Sequence, residues 1–160
     1  MSNMAPDMLR PARKHFPLTA IALLALSLSG GIVDRADAED LSAMKIRFDY
    51  DGTPVVATLE DNATSRSFVK MLPLTVKLED YAATEKIANL PGPLDTSDAP
   101  AGLEPKAGDV TLYAPWGNLA IFIKDFRYAS GLVKLGHIDE GLDALKKPGS
   151  VEVTIERTGD

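Results

Sequence analysis

Polar and apolar residues alternate strictly where the folded part of this chain begins. Ile46, Phe48 and Tyr50 interleave with Lys45, Arg47 and Asp49, the two-residue period of a strand with one buried face. Asp51-Gly52 follows at once, and both residue types tolerate positive φ, so the pair predicts a two-residue type I′ hairpin. Val55, Ala57 and Leu59 continue the alternation on the returning strand. Pro54 lacks an N–H, which confines it to that strand's start or to a sheet edge. A helix comes next, capped by Asn62 or Thr64, with Phe68, Met71 and Leu72 on one face and Pro73 as its stop. Leu74, Val76 and Leu78 then alternate on a third strand running towards Tyr81.

From Ile87 to Gly108 the periodicity disappears. Four prolines (Pro91, Pro93, Pro100, Pro105) and three glycines punctuate the stretch, and a loop of that length in a compact domain is more often functional than idle. Strands resume at Val110–Tyr113 and at Leu119–Ile123, the latter apolar on both faces and so expected at the centre of the packing. Leu132–Ile138 reads as a strand, Gly141–Leu145 as a helical turn, and Val151, Val153 and Ile155 alternate on the last strand. Many short strands with two small helices predict a mainly β fold, a closed antiparallel β-barrel.

The first 38 residues read as an address. Arg10, Arg13 and Lys14 precede an apolar run from Phe16 to Leu28, then Ser29-Gly30-Gly31 and an Ala36-Asp37-Ala38 motif. Positive, apolar and small-residue regions in that order predict a secretory signal peptide over residues 1–38, cut before Glu39. An uncleaved anchor fits less well. The run from Leu18 to Val33 has 16 residues, short of the roughly 20 that span a bilayer. The expected product is a soluble periplasmic domain, residues 39–160, with no membrane contact after cleavage.

Without the leader, 13 basic and 20 acidic side chains remain, a net charge of −7. A domain that acidic, with no basic stripe, repels phosphate backbones, so nucleic acid is excluded as an expected partner. There is no cysteine, hence no disulfide, thiolate zinc site or cysteine nucleophile. With His15 in the leader, His137 is the folded domain's single imidazole, expected on a solvated face. No Gly-x-Ser-x-Gly, HExxH or phosphate loop occurs, and neither cofactor nor metal is expected. Asp95, Asp98, Glu104 and Asp109 are the acids that a calcium loop would draw on, but their spacing fits no such loop.

Two segments carry a resemblance. Lys134-Leu-Gly-His-Ile138, followed by Asp139-Glu-Gly-Leu142, resembles the Val-Phe-Gly-Lys-Val strand and Glu-Gly-Met turn of cyclophilins. Gly117-Asn-Leu-Ala-Ile-Phe122 resembles their Gly-Ser-Gln-Phe-Phe-Ile strand. The chain is more closely similar to a bacterial cyclophilin-like family of small proteins, through Met71-Leu-Pro-Leu-Thr75, Asp80-Tyr-Ala-Ala-Thr-Glu-Lys-Ile87 and Ala114-Pro-Trp-Gly-Asn118. The resemblance covers most of residues 44–157 and implies a cyclophilin-like barrel. It implies peptidyl-prolyl isomerase chemistry only weakly. Lys86 stands nearest to the arginine that polarises the prolyl amide in cyclophilins, Leu119 replaces their glutamine, and Ala120 or Ile121 their pocket phenylalanine. Lysine offers a point charge in place of a planar fork of donors.

Trp116, on a turn beside small residues, is the leading candidate to floor a binding groove, with Tyr81 and Tyr113 as lining and Asn118 as a group that orients a peptide backbone. Lys86 is the catalytic candidate if the protein is an isomerase. With Glu85 it makes a candidate substrate-facing charged pair; otherwise it is an exposed strand-end residue or a weak surface ion-pair partner. The expected function is an exported domain that binds a peptide or small molecule in a surface groove. A weak prolyl isomerase and a non-catalytic interaction module are the alternatives.

Overall fold

Asp51 and Gly52 take up φ values of 49° and 75°, the two positive angles that a type I′ turn demands. The turn joins β1 (Lys45–Tyr50) to β2 (Thr53–Leu59) with Tyr50 opposite Thr53. That register sends Ile46, Phe48, Val55, Ala57 and Leu59 together into the interior. Pro54 sits opposite Asp49, ahead of Val56, where pairing to the next strand begins, so its missing N–H leaves no ladder bond unmade. The computed structural model describes residues 44–158. The expected leader, residues 1–38, and its cleavage before Glu39 lie outside the described residues.

Helix α1 (Ala63–Val69) follows, its N-cap Asn62 accepting the Ser65 N–H at 2.8 Å and donating to the Lys134 carbonyl at 2.9 Å. Phe68 is wholly buried beneath the helix. The helix ends one turn before Pro73, and tight turns at Met71 and Leu72 bridge the gap. The remaining elements are β3 (Leu74–Tyr81), β4 (Glu85–Asn89), β5 (Gly102–Leu103), β6 (Asp109–Tyr113), β7 (Asn118–Phe122), β8 (Ala129–Ser130), β9 (Leu132–Glu140), α2 (Leu142–Leu145) and β10 (Val151–Thr158). Eight of the strands close into an antiparallel barrel in the order β1-β10-β3-β4-β7-β6-β9-β2, and β5 pairs with β8 outside it. Closure removes every exposed sheet edge from the barrel. Among the described residues no helix is long and apolar enough to cross a membrane.

Two expectations need correction. The aperiodic stretch does not begin at Ile87, because residues 87–89 belong to β4. The strand hides in the sequence because its inward positions are Lys86 and Ala88 while Ile87 faces outward, inverting the usual pattern. Lys86 is not an exposed strand end either. Its side chain is 0% exposed, and its ammonium donates to Asp80, to the Lys147 carbonyl at 2.8 Å and to the Gly149 carbonyl at 2.9 Å. Asp80 also accepts the Gly149 N–H at 2.6 Å. That hydrogen bond, then the one from Lys86, holds the Asp80 carboxyl below its ordinary value. The clasp ties the α2–β10 loop across one end of the barrel.

Strand β9 carries register shifts against both neighbours, bulges that bend it around the barrel. Gly136 lies there because a side chain would not fit: a Cβ would stand 2.2 Å from the Thr58 carbonyl oxygen. Strand β7 is buried on both faces. Leu119 and Ile121 point into the barrel, whereas Ala120 and Phe122 point outward and are covered by Leu132, Phe126 and Ala129.

Candidate functional site

The outward faces of β4 and β7 floor a groove on the barrel wall, a cavity of about 320 Å³. Asn118, Ala120 and Phe122 run along its length at every second position of β7, with Ile87 and Glu85 beside them on β4. Tyr113 and Trp116 rise at the Asn118 end, and Phe126, Arg127 and Ala129 close the side supplied by the segment after β7. Tyr81, Ala82 and Thr84 from the β3–β4 turn form the far rim. Ala82 and Ala83 both have positive φ (50° and 54°), an uncommon backbone for alanine that holds this rim in its sharp turn.

Four of the five residues singled out from the sequence meet here. Trp116 packs edge-on against Tyr113, with centroids 5.2 Å apart and planes at 82°, and against Tyr81 at 5.8 Å and 84°. Yet Trp116 remains 61% exposed and Tyr81 41% exposed. The two rings therefore leave aromatic surface open beside the cleft and are not part of the core. Lys86 is set apart from these four. On β4 it alternates with Glu85 and Ile87, so they face the groove and its ammonium lies in the clasp on the inner side.

Asn118 is 3% exposed, and its Nδ2 donates to the Leu119 carbonyl at 3.2 Å. Its Oδ1 is buried with no hydrogen-bond partner among the described residues. Flipping the amide would turn an oxygen towards the Leu119 carbonyl, so the orientation is fixed by its neighbour. A buried acceptor without a donor costs free energy in the free protein, and a ligand N–H or O–H removes that cost.

Sequence reasoning missed two lining groups, Phe126 and Arg127, and paired a third, Glu85, with Lys86, which the fold turns to the other side of β4. Glu85 is half-buried and makes no ion pair or hydrogen bond among the described residues, and burial raises its carboxyl above the ordinary glutamate value. Phe126 stacks on Phe122 at 6.3 Å, and the Arg127 guanidinium lies 5.0 Å over the Phe126 ring. The signal available in sequence was the run Phe126-Arg-Tyr128 just beyond a doubly apolar strand, an aromatic-cation pair outside regular structure.

The remaining polar cluster lies at the other end of β6. Asp109, 3% exposed, accepts the Lys106 N–H at 2.9 Å, the Lys134 ammonium at 3.1 Å and His137 Nδ1 at 2.9 Å. Burial opposes ionisation there, but these partners together hold the Asp109 carboxyl below its ordinary value. His137 is thus half solvated and half engaged, and it pins β9 to the start of β6. Of the other loop acids, Asp98 accepts the Ala63 N–H, Asp95 the Ser97 N–H, and Glu104 the Lys106 ammonium. They are dispersed among local partners, not gathered around one point.

The comparisons with known proteins agree with this architecture. The solution structure of a hypothetical protein from Archaeoglobus fulgidus matches with a TM-score of 0.62 at 18% identity, covering 76% of this chain and 99% of that one. At that identity the likeness speaks for the fold alone. No curated protein matches the chain. A family model described as the cyclophilin-like family matches residues 48–156. An antiparallel eight-stranded barrel matched over that span settles the relationship: the chain belongs to the cyclophilin-like family.

Proposed function

We propose that this chain is an exported binding protein that takes a peptide or small molecule into the β4–β7 groove. The observation that carries the reading is the buried Oδ1 of Asn118, without a hydrogen-bond partner among the described residues, beside an aromatic wall that stays exposed. A pocket of convergent polar atoms over an apolar floor is how ligand sites are built. Prolyl isomerisation requires a donor aimed at the prolyl amide. The protons of Lys86 are engaged by Asp80 and by two carbonyls behind the sheet, which favours binding over catalysis by that residue.

Uncatalysed exchange of an X-Pro bond takes tens to hundreds of seconds, so feeble catalysis is measurable. Turnover of a short X-Pro peptide by the protein is expected near that background, unchanged in Lys86→Ala molecules that remain folded. Trp116→Ala is expected to weaken ligand capture. Strong acceleration, lost in Lys86→Ala or in Arg127→Ala, would put the isomerase reading in its place.

The compartment is part of the proposal and rests on the order of charged, apolar and small residues from Arg10 to Ala38. The intact mass of the protein from a periplasmic extract is expected to correspond to a chain starting near Glu39. A full-length cytosolic product would overturn both leader and compartment.

A further inference from the structure

We propose that the groove selects a peptide carrying a basic side chain, with the cation held between the Glu85 carboxylate and the Trp116–Tyr81 aromatic wall. This rests on the groove being a binding site and names what it binds. Glu85 lines the groove with no ion-pair or hydrogen-bond partner among the described residues, although burial penalises a lone carboxylate. A ligand ammonium or guanidinium supplies the missing countercharge. Tyr81 stands opposite Glu85 across the β3–β4 pair, and Trp116 packs on Tyr81, so this aromatic pair lines the same groove as the carboxylate and can attract the same cation.

Two further groups ask for a peptide and not a simple amine. Asn118 Oδ1, at the other end of the β7 floor, needs an N–H donor. Arg127, with no ion-pair partner among the described residues and stacked over Phe126, offers donors to a ligand carbonyl. A peptide provides all three contacts at once: N–H to Asn118, C=O to Arg127, and a basic side chain to Glu85. Arg127 also repels a second cation at that rim, which limits the preference to one basic residue. The net charge of −7 on residues 39–160 draws a cationic peptide in and slows an acidic one.

Trp116 is the chain's single tryptophan, so its indole N–H resonance reports occupancy without a label. The probes are two pools of acetylated, amidated heptapeptides with neutral flanking residues, one centred on arginine and the other on citrulline, its uncharged isostere. The arginine pool is expected to shift the Trp116 resonance saturably and to bind roughly tenfold or more tightly than the citrulline pool, the scale of a hydrogen bond to a charged group. Glu85→Gln is expected to make the two pools equal. Glu152→Gln, the same charge change at an exposed position on β10, is expected to leave the difference intact. Equal binding of both pools to the parent protein overturns the basic preference while the groove reading stands. A difference that survives in Glu85→Gln overturns the role given to Glu85. No shift from either pool at millimolar concentration overturns the basic preference and, with it, the peptide form of the groove reading.

Discussion

Replacing Lys86 with methionine is expected to destabilise the domain by about 3 kcal/mol, the scale of breaking a buried charged contact by removing one partner. Methionine keeps the length and apolar stem of the side chain, so the loss isolates the ammonium from the packing. That ammonium satisfies the carbonyls of Lys147 and Gly149 as well as Asp80, and none of its surface reaches solvent. Without it the carbonyls of Lys147 and Gly149 lose this donor, and of the clasp only the Asp80–Gly149 bond still holds the loop between α2 and β10. Each kcal/mol moves the midpoint of a domain this size by roughly 4 °C or more, so thermal unfolding resolves the effect easily. Arginine is not expected to rescue, because a planar fork cannot replace three converging donors on a compact head. The decisive control is the Trp116 signal, which is expected to be unchanged in folded Lys86→Met protein. Wild-type stability would mean the clasp is not engaged in solution, and a changed groove would return Lys86 to the site.

The barrel was legible wherever one face of a strand is apolar and the other polar. β1, β2, β3 and β10 obey that rule, and their inward residues Ile46, Val55, Val76 and Val153 could be picked out by counting in twos. β7 was legible for a different reason. Its outer face is roofed by Phe126 and Leu132, so both faces are apolar. β4 was illegible because a lysine occupies an interior position, a placement that only the Asp80–Gly149 clasp makes tolerable and that depends on residues about 60 positions away. The same limit governs the groove. Trp116 and Asn118 share one short turn and strand, so their association was local and readable. Glu85, Phe126 and Arg127 join them only through the pairing of β4 with β7 and the fold-back after Phe122. An alternation that puts Glu85 outward also puts Lys86 inward, so the missed strand and the expected exposure of Lys86 are one error.

Asn118→Leu is expected to raise stability by about 1 kcal/mol while reducing capture of the arginine-centred pool roughly tenfold. Opposite signs are what distinguish a ligand-directed polar group from a structural one. The two side chains share a branching pattern and nearly the same shape, so leucine enters the site without opening a cavity. It removes an acceptor that is buried with no donor, a penalty on the scale of 1–3 kcal/mol. Against this it gives up one long bond to the Leu119 carbonyl, at 3.2 Å, from a residue whose strand is already paired on both sides, with β4 and with β6. Substitutions at buried polar positions ordinarily destabilise, so a rise in the denaturation midpoint carries information that a fall would not. If stability drops instead, Oδ1 has a partner in the free protein, for example an ordered water held over the groove floor. The unsatisfied acceptor would then cease to argue for a ligand. If stability rises and peptide capture is untouched, Asn118 faces the groove without taking part in recognition, and the peptide must be held by Glu85, Arg127 and the aromatic wall alone. Only the joint result, a firmer fold and a weaker grip, places the cost of that buried oxygen on the side of binding.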